Sequence, residues 1–190
     1  MSTLTVQNLT GVSPTNLIRV ASGHKLYAPG GIVQVQQTIK TDSWTGSVAS
    51  GSATYATVTG LSVGITPTSS SSKILVMLNM WVGYNIYMYR GVVRRNGTHI
   101  AIGDANGNRP RVSFGGGNHT GSATNDQYHM MQVAFNYLDS PATTSTLTYD
   151  VGLASYSGYA VYVNRSHAWQ NSTEYDPAQS STITVMEVAQ

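Results

Sequence analysis

The residues able to do chemistry in this 190-residue chain are few and badly spaced for it. Asp104, Asn106 and Asn108 set oxygen side chains at alternate positions, as a calcium loop does. An EF-hand loop needs Gly at its sixth position and Glu at its twelfth; here Arg109 and Gly115 stand there, so a surface turn is expected. The five histidines, His24, His99, His119, His129 and His167, lack the close spacing of a zinc or iron pair on one strand. With no cysteine, neither a disulfide frame nor a thiolate metal site is available. Asp and Glu total 8, which leaves few candidates for the acid pair of a glycosidase. Ser70 to Lys73 matches Ser-x-x-Lys only because the chain is rich in serine, and no nucleophile elbow is present. Gly115–Gly117 has no helix after it and cannot cradle phosphate. The expectation is a protein that is not an enzyme, with no cofactor and no metal.

Contact chemistry is better represented. Tyr84, Tyr87 and Tyr89 crowd one region, and Tyr156, Tyr159, Tyr162, Trp169 and Tyr175 another. Tyr and Trp offer large rigid surfaces with a polar handle, suited to sugar stacking and to protein interfaces. Trp44 and Trp169 lie in polar contexts, "DSWTG" and "HAWQN". With Tyr156 and Tyr175 they are the candidate receptor contacts.

The elements that must position these residues read as strands. Lys73–Val82 carries Ile74, Val76, Leu78, Met80 and Val82 at even positions and Leu75, Met77 and Trp81 at odd ones. Strand side chains alternate sides, so both surfaces are apolar. Tyr128–Leu138 repeats the pattern, and Tyr159–Val163 does so in miniature. A lone antiparallel sandwich hides one face of each strand; a second dry face calls for a second cover, and the simplest is another copy of the chain. Leu75, Met77, Trp81, Met130, Phe135, Tyr137 and Tyr162 are the candidate oligomer interface. Ile32–Lys40, with Val33, Val35 and Ile39 on one side, Tyr55–Thr59, Leu61–Thr66, Leu147–Leu153 and Ile183–Val188 read as further strands, and the residues around Trp44 to Ser52 and Gly115–Gly121 read as loops. Asn96-Gly97 predicts a two-residue hairpin turn. In all, about ten antiparallel strands and no helix predict an all-β jelly-roll sandwich over residues 31–190. Residues 1–30 read as an extended N-terminal arm that docks onto neighbours through Leu4, Val6, Leu9, Leu17, Ile18 and Val20.

Composition narrows the partners. Charged residues make up 9% of the chain, against about 25% in ordinary domains. The net charge of +2 and the absence of a long basic run argue against nucleic-acid binding. No apolar stretch reaches the roughly 20 residues of a membrane helix, so membrane insertion is not expected. The start lacks the basic and apolar regions of a secretory signal.

The runs "SVGITPTSSSSKILV", "VVRRNGTHIAIG", "FNYLDSPATTSTLTYDVGL" and "STITVMEVAQ" resemble, over roughly Gly31 to Gln190, the trimeric jelly roll of complement-component and tumour-necrosis-factor-like modules. Their wording is similar to virion structural and fibre proteins of marine tailed bacteriophages, including those of cyanobacteria. "MSTLTVQNLTG" and "SGHKLYAPG" resemble the attachment pieces of such proteins. The resemblance implies a homotrimer on the virion, at the particle surface or tail, bound to other virion proteins. It implies a short fibre or fibre tip that meets a host-surface glycan or protein. A capsid decoration or tail connector that binds only virion neighbours is the alternative.

Overall fold

The computed structural model describes residues 22, 28–49, 54–84, 87–118 and 127–190. Among them the chain forms eleven strands: β1 Ile32–Lys40, β2 Trp44–Gly46, β3 Ala56–Ile65, β4 Lys73–Tyr84, β5 Tyr87–Arg95, β6 Thr98–Ile100, β7 Phe114–Asn118, β8 Met130–Asp139, β9 Leu147–Ser155, β10 Val161–Val163 and β11 Ser181–Val188. The one helical segment among the described residues is the short 3₁₀ turn Tyr156–Gly158.

All pairings are antiparallel and they nest: β1 with β11, β3 with β9, β4 with β8, β5 with β7. Successive pairs fall alternately in two sheets. The first sheet runs β1, β11, β4, β8, with β2 and β10 extending β1 and β11 along β4. The second runs β3, β9, β5, with β7 and β6 sharing the far side of β5. A long hairpin rolled over itself produces this order, so the chain is a jelly roll, as expected.

The core is the space between the sheets. Ile74, Val76, Leu78, Met80 and Val82 of β4 point into it and are buried, as are Leu61, Val93, Val151, Leu153, Ile183 and Val185. Burying one such side chain is worth about 1.5–3 kcal/mol. Asn96 and Gly97 both have positive φ, 48° and 81°, as a two-residue hairpin linking β5 to β6 requires.

Three segments depart from the sequence reading. Trp44, expected in a loop, begins β2. Tyr55–Thr59 and Leu61–Thr66 fuse into the single strand β3, whose register slips between Thr57 and Ser62. The glycine triplet, read as a loop, forms most of β7. It pairs with β5 so closely that a Cβ at Gly117 would stand 2.5 Å from the Tyr87 carbonyl oxygen. Glycine disfavours strands through backbone entropy, and close approach to a neighbour overrides that preference here.

Buried polar groups fasten the sandwich. Asp139, at the end of β8 in the first sheet, accepts from Arg95 Nη1 on both oxygens (2.8 Å each) and from Tyr149 Oη at 2.7 Å. Arg95 and Tyr149 belong to the second sheet, so this cluster ties the sheets together. Burial, followed by the bond to Asp139, pushes the Tyr149 phenol far above its ordinary value. Glu187, fully buried, accepts from Thr68 N (2.7 Å), Thr68 Oγ1 (2.6 Å) and Gln34 Nε2 (2.6 Å). Burial alone would raise its pKa; the bonds from Thr68 and Gln34 outweigh it and hold the carboxyl below its usual value.

Asp139→Ala leaves Arg95 and Tyr149 without their acceptor and should cost about 3–5 kcal/mol in urea unfolding. The depressed Glu187 pKa contributes stability above the unfolded carboxyl value, near about 4.3, and that contribution is lost as pH falls through the folded value. Glu187→Gln should therefore be less stable than wild type at pH 7, by about 1–3 kcal/mol. The gap should narrow as unfolding is followed to pH values below the unfolded carboxyl value.

Candidate functional site

Two surfaces stand out, and register builds both. The first is the outer face of the first sheet. Directly paired residues share a face, so Val35, Met186, Leu75 and Leu138 form one transverse row. Gln37, Thr184, Met77 and Asn136 form the next, and Ile39, Thr182, Asn79 and Ala134 a third. Ile32 and Val188 flank the rows at one end with Lys73, the face's lone charge among these strand positions. Ile39 is 58%, Val35 49% and Met77 38% exposed. A hollow of about 380 Å³ opens in the middle, lined by Gln37, Met77, Asn79, Ala134, Asn136 and Thr184.

The orientation of β1 explains why apolar side chains reach this face at its β1 edge, beside the uncharged polar Gln37, Thr184 and Asn136. Its Gln34 and Thr38 turn toward β3, the edge of the opposite sheet, and donate to the carbonyls of Thr66 (2.8 Å) and Ser62 (2.7 Å). Strand alternation then throws Val35 and Ile39 outward.

The expected interface set splits. Leu75, Met77, Trp81 and Met130 do lie on the outer face. Phe135 and Tyr137 face the other way, against the sandwich core, because they pair with the inward Leu78 and Val76. Tyr162 pairs with Gly83 on the outer side, yet the chain's own next loop buries it. The second cover expected from a partner is thus partly supplied by the same chain. The face also recruits Ile32, Val35, Ile39, Leu138, Met186 and Val188, which sequence reasoning did not select. The period-two pattern of β1 was visible; which side pointed out was not.

The second surface is that loop, which crosses Gly83. A Cβ on Gly83 would sit 2.2 Å from the Arg165 carbonyl oxygen. The Arg165 guanidinium lies over the Tyr162 ring (4.9 Å) and the Trp169 ring (5.1 Å). Tyr162 Oη and His167 Nδ1 are 2.7 Å apart. Burial, then the Arg165 charge, push His167 below its ordinary value, so it is neutral at pH 7. Trp169 sits at φ +43°, an unusual conformation for a bulky residue. It is held there by its N–H bond to Ser166 Oγ (3.1 Å). Asp176 accepts from Ser166 Oγ and from the Gln170 N–H, closing the loop.

Of the candidate receptor contacts, Trp169, Tyr175 and Tyr156 are exposed. Tyr175 packs edge-on against Tyr128 (5.2 Å) and Tyr156 against Tyr87 (5.0 Å). Trp44 corrects the expectation: its ring lies over Gly46 and packs on the core, because its position opposite Val163 faces inward. In the Asp104–Asn108 turn, Arg109 Nη1 donates to Asn106 Oδ1 (2.9 Å), which sets a cation beside an oxygen that a calcium site would need. Among the described residues no group of three His, Cys, Asp or Glu could hold a metal. Leu4, Val6, Leu9, Leu17, Ile18 and Val20 lie outside the described residues.

The two surfaces occupy a jelly roll that no family model matches and for which no curated relative is found.

Gly83→Ala should displace the 165–169 segment and unstack Arg165 from Tyr162 and Trp169. Near-ultraviolet circular dichroism should lose aromatic signal, with a stability loss of about 1–3 kcal/mol.

Proposed function

We propose that this chain is a bacteriophage virion structural protein, a short trimeric fibre or fibre tip. In this reading three copies close over the outer face of the first sheet, the N-terminal arm docks them to the particle, and the far loops contribute to host adhesion. The observation that carries it is the reversed edge strand β1, with Val35 and Ile39 outward in line with Met186, Leu75 and Leu138. A contiguous apolar row rimmed by uncharged polar side chains is the kind of surface that protein interfaces use. A face with one charge offers nothing to an ionic partner and does not repel its own copy, which favours self-association. The resemblance to trimeric jelly rolls supports three as the number of copies.

The layout agrees with a protein that is held at one end and makes contact at the other. Gly30 N bonds Ala189 O at 2.8 Å, beside the β4 end that begins at Lys73. The loop bearing Trp169 and Tyr175 follows β10, which meets the opposite β4 end at Gly83 and Tyr84, and Tyr156 lies in the turn that leads into β10. A decoration or connector protein would share the trimer and lack host contact.

Sedimentation of the full chain at micromolar concentration should give a trimer, since an obligate interface buries more than about 2,000 Å². Leu75→Glu with Met77→Glu should give a folded monomer. A wild-type monomer overturns the reading. Gold-labelled antibody against the chain should decorate phage particles, and unlabelled particles would reject the virion assignment.

A further inference from the structure

We propose that the depression beside Trp169 is a binding site for a neutral saccharide. The depression measures about 510 Å³ and is lined by Trp169, Gln170, Asn171, Ser172, Asp176 and Pro177. That size falls within the roughly 300–1,000 Å³ of small-ligand sites. Its chemistry is one aromatic platform ringed by amides and a hydroxyl. A pyranose has the complementary form, with an apolar C–H face to lie on an indole and hydroxyls that both donate and accept.

Trp169 is prepared for this. It is 39% exposed, so its surface is offered to a ligand. It is also placed: the Arg165 guanidinium backs its ring at 5.1 Å, and its backbone N–H is tied to Ser166 Oγ. A platform ordered in advance loses little freedom when a ligand lands. The charges that line or back the depression are already committed, and Glu174, in the same loop, is not part of the lining. Asp176 takes hydrogen bonds on both oxygens from within the loop, and Arg165 is stacked between Tyr162 and Trp169 while donating to the carbonyls of Ser166 and His167. The groups left to meet a ligand are uncharged: Gln170, Asn171 and Ser172. That argues for a neutral sugar over an acidic one.

The site deepens the host-contact part of the reading above and rests on it for the source of the sugar, a cell-surface glycan. The trimer face and the depression share no residue, so the two can fail separately.

The test is saturation-transfer NMR on the full-length protein with maltotriose, cellotriose, mannotriose and chitotriose, with sedimentation run on the same samples. At least one trisaccharide should receive transfer at its ring C–H protons. Trp169→Ala should weaken that binding about ten-fold or more, and Gln170→Ala with Asn171→Ala several-fold, with sedimentation unchanged for both variants. Trp44→Phe should bind as wild type does. No transfer to any of the four sugars, or transfer undiminished in Trp169→Ala, overturns the site whatever the oligomer. Capture of peptides from a random library at this loop without sugar binding also overturns it, in favour of a protein receptor. A monomer that still binds sugar through Trp169 would sink the trimer and keep the site.

Discussion

The exposed edge of β3 is the constraint on which much of this molecule depends. An edge strand presents carbonyls and amides that its own sheet does not pair. Here Thr38 and Gln34 reach across from β1 and satisfy the carbonyls of Ser62 and Thr66. Once those side chains point inward, alternation leaves Val35 and Ile39 no choice but to point outward. Met186, Leu75 and Leu138 continue their row. The apolar row on the outer face is therefore a consequence of closing the sandwich along one edge.

Without disulfides, the chain secures its strand ends with buried polar clusters. Where β11 gives way to β10 along β4, Asn164 fills the break. Its Nδ2 donates to the carbonyls of Lys40 and Asp42, its Oδ1 accepts from Ser181 Oγ at 2.6 Å, and Ser181 Oγ in turn accepts from the Trp81 N–H. Asp139 and Glu187 serve the other end. Each of these groups is satisfied several times over, the condition under which burying a polar side chain is not a liability. The sandwich is thus fastened by hydrogen bonds at both ends, and the loops beyond Gly83 are carried on that frame.

That frame lets the aromatic loops act as a surface. Arg165 stacks Tyr162 on one side and Trp169 on the other. A ring on the sheet is thereby coupled to a ring at the rim. The loop covers Tyr162 and exposes Trp169, so one segment serves both as packing and as contact.

Much of the fold was legible in the sequence. Period-two alternation located β1, β4, β8, β9 and β11, and Asn96-Gly97 announced the hairpin. Both readings rest on local geometry, which neighbouring residues dictate. The excess of apolar faces was visible in β4 and β8 for the same reason. What the sequence could not assign was direction and depth. Phe135 and Met130 both looked like interface; pairing with β4 sends one inward and the other outward. Trp44 and Trp169 had equally polar neighbours, yet one lies on the core and the other lines a depression. The outward side of β1 depended on a strand more than twenty residues away. The sequence by itself determined which residues alternate and where the chain turns, since those are properties of adjacent peptide units. Only the tertiary structure decided which alternate side meets water, because that follows from long-range register and from which distant backbone groups need partners.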